Sequence, residues 1–290
     1  MKAYKFLKNI ELSAITVNEE KRIKDFLGEI LLFVGILQEP LYFKYLYRIT
    51  TVRDIFLDGD KVRNPDFISY PPLSVVKSNG FYGRANTPDS TVLYCSFHPN
   101  IALLEIKPKV GERIIISQWE KENNDPFISS PILNSSITAN EGVLKTFKSF
   151  EKMMKNQNSL FKRITSLYFE FIAHEFVKDI AISSKKRFEY LFSAYISDMV
   201  LRNRYAVGDS IPHYDCIIYP SIAAKHRTDN VAICQESVKK IKPVFMEDCV
   251  VMETRYDNLD MHAPDKSIIS GRILKSSDVI EKDSIIWNDD

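Results

Sequence analysis

Three side chains with complementary chemistry follow one another at short intervals in the first half of the chain. Arg84 lies in the turn-like segment Gly83–Pro88, Tyr94 comes ten residues later, and Glu105 comes eleven residues after that. A guanidinium group donates a planar fork of hydrogen bonds that suits a phosphate, an aromatic ring stacks on a flat base, and a carboxylate stabilises positive charge. Together these three side chains offer groups that bind a phosphate, stack on a base and stabilise positive charge.

A second group of polar residues flanks these three at a distance. Arg48 stands in an early strand-like stretch, Ser221 follows an apolar run directly after Pro220, and Asn230 begins the next apolar run. Residues at the ends of strands commonly carry binding functions because a rigid sheet positions them. Ser221 is therefore a candidate for holding the ligand, and Asn230 is a candidate for holding the ligand or for supporting a loop.

In their order along the chain, these residues resemble the pattern of the RES domain family, which is named for an arginine, a glutamate and a serine. The pattern consists of a Gly-Arg-x-Asn-x-Pro turn, a tyrosine on the next strand, an Ala-x-x-Glu segment, and a distant Tyr-Pro-Ser followed by an Asn-led strand. The matching segments here are Gly83–Pro88, Tyr94, Ala102–Glu105, Tyr219–Ser221 and Asn230–Ile233. The resemblance covers about residues 47 to 249, with its matches concentrated at the two ends.

The resemblance implies a fold related to the ADP-ribosyltransferase toxins and an activity that consumes NAD as a substrate, with no cofactor and no metal. The nicotinamide–ribose bond would be cleaved by hydrolysis or by phosphorolysis. Family members often act as toxins that a cognate antitoxin silences, so an antitoxin or regulatory partner is expected, and so is a homo-oligomer. The expected catalytic residues are Arg84, Glu105 and Tyr94, and the expected substrate-binding residues are Arg48, Ser221 and Asn230.

The chemistry of the same residues agrees with this implication. Cleavage of an N-glycosidic bond to a pyridinium leaving group produces an oxocarbenium-like ribosyl cation, so the site needs a carboxylate beside the ribose and no strong general acid. Glu105 is the candidate carboxylate, and Arg84 is suited to the pyrophosphate. Tyr94 offers a face on which the nicotinamide stacks, and Ser221 offers a hydroxyl for the ribose or the carboxamide.

Two other functions remain open at the level of sequence. Transfer of ADP-ribose to a protein uses the same cation with a different acceptor, although an acidic residue two positions before Glu105 would favour it and Leu103 stands there. A non-catalytic module that binds a nucleotide or a partner would keep the fold without the reaction. The joint presence of Arg84, Tyr94, Glu105 and Ser221 argues against that second alternative.

The chain departs from compact members of the family in three places. Ala85 follows Arg84 where an aromatic residue is common, so packing against the nicotinamide or adenosine differs. We expect residues 1–40 to form an N-terminal helical extension and residues 41–290 to form the RES-like NAD-binding domain, with a helical insert at about 140–205. The added helices are candidates for masking the site, for dimerisation or for receiving a partner.

Bulk properties exclude several classes of protein. The 290 residues contain 39 Lys and Arg and 38 Asp and Glu. These charges nearly cancel, so the overall charge does not favour binding to nucleic acid or to an anionic membrane. No apolar run approaches the roughly 20 residues that span a bilayer, and the N-terminus lacks the features of a secretory signal. The four cysteines form no CxxC pair, which is typical of buried thiols in a reducing compartment. We expect a cytoplasmic protein.

Apolar periodicity predicts an α+β fold with a mixed sheet. Asn18 is the expected N-cap of a first helix whose apolar face packs on its own domain or on another subunit. Three further helices are expected between about residues 141 and 204, and the segment 97–106 is either a short helix or extended. The predicted strands are 47–50, 92–95, 113–116, 216–219, 231–234, 249–252, 267–274 and 284–287.

Other catalytic patterns fail on spacing. The chain has no GxxxxGK[ST] loop, and its five histidines do not recur at metal-ligand intervals. His213 and Asp215 lie near Ser221, but residues two apart on a strand share a face without forming a relay, and no nucleophile elbow is present.

Overall fold

The computed structural model describes residues 7, 10–12, 15–34, 36–133, 141–178, 187–202, 213–225, 228–256, 267–281 and 283–288. Within these residues the chain forms an α+β fold built on one large mixed sheet, which confirms the predicted fold class. The α-helices are α1 (Val17–Val34), α2 (Leu73–Asn79), α3 (Pro99–Ile106), α4 (Glu141–Lys155), α5 (Ser159–Phe176), α6 (Leu191–Leu201) and α7 (Gln235–Val238). The strands are β1 (Glu39–Leu41), β2 (Tyr45–Thr51), β3 (Val92–Ser96), β4 (Arg113–Lys121), β5 (Phe127–Pro131), β6 (Cys216–Pro220), β7 (Asp229–Cys234), β8 (Ile241–Arg255), β9 (Ile268–Ser277), β10 (Val279–Glu281) and β11 (Ser284–Ile286).

The sheet has nine strands in the described part of the chain, in the order β1-β5-β6-β7-β3-β2-β4-β8-β9. Strands β5 and β6 are parallel and the other neighbours are antiparallel, while β10 and β11 form a separate hairpin. Strands β2 and β3 pair at a single position, Tyr47 with Ser96. The centre of the sheet therefore splits, and the candidate residues of β2, β3, β6 and β7 lie on both sides of this gap.

Helices cover one face of the sheet in two groups. Helices α1, α5 and α6 pack over β3, β7 and β6 in a core that includes Leu27, Phe171 and Phe192. Helix α3 packs over β2, β4 and β8, where Ala102 meets Ile49. The opposite face carries a second large core, to which helix α4 contributes Val143 and the β10–β11 hairpin contributes Ile285. Burial of these apolar side chains is the main favourable contribution to folding.

The first helix begins earlier than its sequence suggested. The Thr16 hydroxyl accepts a hydrogen bond from the Glu19 amide, and the Glu19 carboxylate accepts one from the Thr16 amide at 2.8 Å, so Thr16 rather than Asn18 caps the helix. Thr16 and Asn18 are both suitable capping residues. The Thr16–Glu19 pair satisfies two backbone amides, whereas Asn18 would satisfy one. The helix packs against α5 and α6, and the expected boundary at residue 40 falls inside β1, which pairs with β5.

The ambiguous segment 97–106 is a helix from Pro99 onward. Pro99 occupies the first helical turn, where its missing amide hydrogen costs nothing, and His98 holds the N-cap position. Ser96 lies outside the helix and donates a hydrogen bond to Asn230 on β7. The helix ends at Lys107, whose φ of 50° is left-handed. Glu105 lies in the last turn, three residues after the buried Ala102.

The three expected middle helices are confirmed as α4, α5 and α6. The predicted strands are also present, with β8 beginning eight residues earlier than expected, at Ile241. In the described part of the chain, no helix combines the length and apolar character needed to cross a membrane.

Candidate functional site

The structure brings three of the predicted residues together: Ser221 and Asn230 both contact the Glu105 carboxylate. Its Oε1 atom accepts a hydrogen bond from Ser221 Oγ at 2.5 Å and another from Asn230 Nδ2 at 2.7 Å. Asn230 is oriented in turn by Ser96, whose hydroxyl donates to Asn230 Oδ1 at 2.5 Å. We call Glu105, Ser221, Asn230 and Ser96 the carboxylate cluster. Its members come from α3, the end of β6, β7 and β3.

Strand register explains why residues so distant in sequence meet. Asn230 lies opposite Ser96 on one side and opposite Tyr219 on the other, so three adjacent strands place these side chains in one row on the same face. Ser221 follows this row directly, and it is fully buried. Its hydroxyl accepts from the Ala224 amide at 3.1 Å, which leaves its proton for Glu105.

The Glu105 carboxylate is held by neutral groups alone. Among the described residues no cation lies within ion-pair distance of it, and no donor reaches its Oε2 atom. The side chain is half-buried. One oxygen is therefore immobilised, while the other can accept a hydroxyl or face a developing positive charge.

Tyr94 fixes the turn that carries Arg84. Its hydroxyl accepts from the Ala85 amide at 2.8 Å and donates to Asn86 Oδ1 at 2.9 Å. Burial is the largest influence on the pKa of Tyr94 and raises it above its usual value, so the hydroxyl stays protonated. The hydroxyl is thus occupied by the turn, and the half-buried ring is the part of Tyr94 that a ligand could contact.

Gly83 is required by the same contacts. A Cβ atom at this position would lie 2.2 Å from Asn86 Oδ1 and 3.0 Å from the Tyr94 hydroxyl oxygen. The Gly83 amide also donates to the Asn86 carbonyl at 2.9 Å, which closes the turn. The Gly-Arg-x-Asn part of the motif therefore has a direct steric explanation.

Arg84 is engaged by the helical middle section. Its Nη1 donates to the Phe176 carbonyl, and its Nη2 donates to the Lys178 carbonyl at 3.2 Å and to the Tyr190 hydroxyl at 3.0 Å. The guanidinium group also lies over the Tyr190 ring, 4.8 Å from its centroid. Among the described residues it has no carboxylate partner. Every described contact of this cation is made with a neutral group.

Tyr219 is a buried residue near both Glu105 and Arg84. Burial raises the pKa of the Tyr219 hydroxyl well above its usual value, the neighbouring Tyr94 and Glu105 raise it further, and Arg84 lowers it. The Tyr219 ring also packs against Phe176 with a centroid separation of 5.5 Å. The hydroxyl thus lies within electrostatic reach of both Glu105 and Arg84.

Arg48 lies at the gap in the sheet rather than in the carboxylate cluster. Because side chains alternate along a strand, it leaves β2 on the face opposite Tyr47. Its Nη1 donates to the Tyr94 carbonyl at 3.3 Å across the gap, and its buried Nε has no described acceptor. Burial lowers the pKa of Arg48. Its contact with a phosphate stays a prediction.

Sequence reasoning assigned no role to three residues of this region. Ser96 shares a strand face with Tyr94, so period-two alternation is the signal that could have identified it. Tyr219 belongs to the quoted Tyr-Pro-Ser motif. Tyr190 carried no signal, because only the packing of the middle helices brings it to Arg84.

Cavities lined by described residues lie elsewhere. One of about 590 Å³ lies on the opposite face, between Tyr70, Trp119, Lys239, Lys242 and Asp278, and two small ones lie beside α6. None of these three is lined by Glu105. In the described ranges, no group of three or more His, Cys, Asp or Glu side chains is placed to hold a metal ion.

No protein-family model matches this chain, and no curated protein matches its sequence. The resemblance to RES domains therefore rests on the quoted motif residues alone.

Proposed function

We propose that this protein is an enzyme that consumes NAD by cleaving the nicotinamide–ribose bond, and that it acts as a toxin or defence effector by depleting NAD. The observation that supports the proposal most strongly is the Glu105 carboxylate. It is half-buried, has only neutral donors among the described residues, and keeps one oxygen without a described partner. Such a carboxylate is prepared for positive charge that no described residue supplies to it.

Glu105 would act on the ribosyl cation. As the glycosidic bond breaks, its electron pair leaves with nicotinamide, which departs as a neutral molecule and needs no general acid. Positive charge then develops on the ribose, and Glu105 stabilises it through Oε2 while Ser221 and Asn230 hold Oε1. Water or phosphate attacks the anomeric carbon and, when water attacks, one proton is released to solvent.

Arg84 is the group proposed to bind the pyrophosphate of NAD. Its turn is held by Tyr94 and Asn86, so the guanidinium starts from a defined position. An arginine forms two parallel hydrogen bonds with phosphate oxygens, and these are stronger than its bonds to neutral acceptors. Arg48 is the second predicted phosphate ligand, since its charge has no described counter-ion.

The remaining parts of the proposal concern context. Depletion of NAD requires the enzyme to act where the cell holds its NAD, so a cytoplasmic location is part of the proposal, with a cognate antitoxin or regulatory partner to restrain the enzyme. Expression in a host cell tests this: toxicity that Arg84→Ala or Glu105→Ala relieves supports the proposal. Equal toxicity of both variants and the parent protein contradicts it.

The direct experiment is phosphorus and proton NMR of NAD incubated with the purified protein, with and without phosphate. Free nicotinamide with ADP-ribose indicates hydrolysis, and free nicotinamide with the 1″-phosphate of ADP-ribose indicates phosphorolysis. Nicotinamide release that requires an added protein acceptor indicates ADP-ribosyl transfer. NAD that stays intact under all three conditions would overturn the proposed reaction for the isolated protein.

A further inference from the structure

We propose that the end of α5 and the residue preceding α6 form an internal latch that occupies Arg84, so that a pyrophosphate-bearing ligand binds Arg84 only by displacing it. The latch consists of the Phe176 and Lys178 carbonyls and the Tyr190 side chain. This regulation rests on the proposed function in one respect, because it takes Arg84 to be the group that binds pyrophosphate.

The latch uses the same nitrogen atoms that a phosphate would use. Bidentate recognition of a phosphate employs two N–H groups on one edge of the guanidinium fork. Here Nη1 already donates to Phe176, and Nη2 donates to both Lys178 and Tyr190. The ring of Tyr190 additionally covers one face of the group at 4.8 Å. Both N–H groups of Nη2 are therefore used, and each edge of the guanidinium that offers two parallel donors includes one of them. A phosphate can bind Arg84 in bidentate geometry only by displacing part of the latch.

The end of a helix is a natural substitute for an anion. The last carbonyls of a helix lack intrahelical donors, and the helix dipole gives that end about half a negative charge. From a turn 92 residues away in sequence, Arg84 donates to the last carbonyl of α5, that of Phe176, and also to the Lys178 carbonyl two residues beyond the helix. The cation is thereby stabilised in the absence of ligand, and the Phe176 carbonyl is satisfied.

The latch is weaker than the ligand it excludes. Its acceptors are two amide carbonyls and a phenol, all neutral, whereas a pyrophosphate offers charged oxygens in bidentate geometry. By contrast, Oε2 of Glu105 has no described occupant. The latch therefore lowers the affinity of Arg84 for the ligand but leaves Glu105 accessible. Helix α5 belongs to the helical insert that distinguishes this chain from compact RES-like domains.

Binding of inorganic pyrophosphate, measured by calorimetry, tests the latch without any glycosidic bond. Tyr190→Phe keeps the ring over Arg84 and removes one acceptor, so we expect pyrophosphate to bind roughly 3- to 10-fold more tightly than to the parent protein. The control is Tyr256→Phe, which removes a tyrosine hydroxyl bonded to the Pro108 carbonyl elsewhere, and its affinity should be unchanged. Unchanged or weaker binding by Tyr190→Phe overturns the latch.

Hydrogen exchange supplies a second measurement on the unaltered protein. Pyrophosphate should accelerate amide exchange several-fold in the last turn of α5 and the two residues after it, residues 173–178, because the Phe176 and Lys178 carbonyls lose Arg84 as their hydrogen-bond donor. Arg84→Ala should show the same acceleration without ligand and should lose pyrophosphate binding. Saturating binding with unchanged exchange in this turn overturns the latch.

The outcomes separate the latch from the proposed reaction. If NAD stays intact but Tyr190→Phe binds pyrophosphate more tightly, the latch stands and the reaction fails. If NAD is cleaved but the parent protein and Tyr190→Phe bind pyrophosphate equally tightly, the reaction stands and the latch is overturned. If neither of these two proteins binds pyrophosphate, the latch is overturned as well, because the proposal is that an anion displaces it.

Discussion

The two charged residues of the candidate site are held in opposite ways. Glu105 receives hydrogen bonds from the side chains of Ser221 and Asn230 on one oxygen, while the other oxygen has no described partner. Arg84 donates from both terminal nitrogens to two carbonyls and a tyrosine hydroxyl. The carboxylate is therefore ready for a ligand, whereas the guanidinium is already in use as a structural group. A residue of the quoted motif can therefore be fully engaged by the fold in the absence of any ligand.

The largest expected effect comes from neutralising the Glu105 carboxylate. Glu105→Gln keeps an acceptor for Ser221 and removes the negative charge, so turnover of NAD should fall by about 10² to 10³ with little change in thermal stability. Release of nicotinamide, followed by NMR, measures this. The matched control is Glu253→Gln on the exposed part of β8, which should retain full activity. Near-parental turnover by Glu105→Gln would remove Glu105 from the mechanism.

Breaking the turn beneath Arg84 should cost stability instead. Gly83→Ala places a Cβ atom 2.2 Å from Asn86 Oδ1. Either the Tyr94–Asn86 hydrogen bond breaks or the backbone of the turn shifts. We expect a loss of about 2 to 3 kcal/mol in the free energy of unfolding, measured by urea titration. Gly28→Ala is the control, because its nearest contacts are 3.7 Å away and alanine favours a helix. Equal stability of both variants would contradict the steric argument.

Replacing the fork by a single ammonium group separates the structural use of Arg84 from its charge. Arg84→Lys keeps the positive charge but cannot reach both carbonyls and cover Tyr190, so we expect a loss of about 1 to 2 kcal/mol in unfolding free energy. The same replacement at the exposed Arg272 on β9 should be neutral within about 0.5 kcal/mol. If Arg84→Lys were equally neutral, the contacts with α5 would contribute nothing to stability.

The smallest effect is expected at the outer end of the carboxylate cluster. Ser96→Ala frees the Asn230 amide to rotate, and turnover should fall about threefold because Glu105 itself keeps Ser221. Asn230→Ala should cost more, about tenfold, since it removes a direct donor. In the double variant the Ser96 change should add nothing further, because Ser96 acts through Asn230. Additive losses would show that Ser96 has a separate role.

Much of the local structure was readable from the sequence. Periodicity indicated the middle helices and most strands, whereas the segment 97–106 stayed ambiguous until the structure showed a helix from Pro99. The first cap was misplaced because Thr16 and Asn18 both suit that role, and the reciprocal bond with Glu19 decided between them. Strand β5 and its parallel pairing with β6 were not anticipated, since pairing depends on residues nearly ninety positions apart.

The candidate site was readable in part for a similar reason. Glu105, Ser221 and Asn230 have side chains whose chemistry stands out in a motif, so their meeting could be anticipated without its geometry. The partners of Arg84 could not, because two of them are main-chain carbonyls that every residue possesses. Tyr190 is one of fourteen tyrosines, and nothing in its neighbourhood marks it.

By itself the sequence determined which groups are available: the glycine that the turn needs, the carboxylate, the two guanidinium groups and the apolar periods that make them part of an α+β fold. Only the tertiary structure decided how those groups are used. Register across β3, β7 and β6 aligns the donors that hold Glu105, and the packing of α5 presents its carbonyls to Arg84. Hydrogen bonds act over about 3 Å, so the state of each charge depends on contacts between distant segments that only the folded chain establishes.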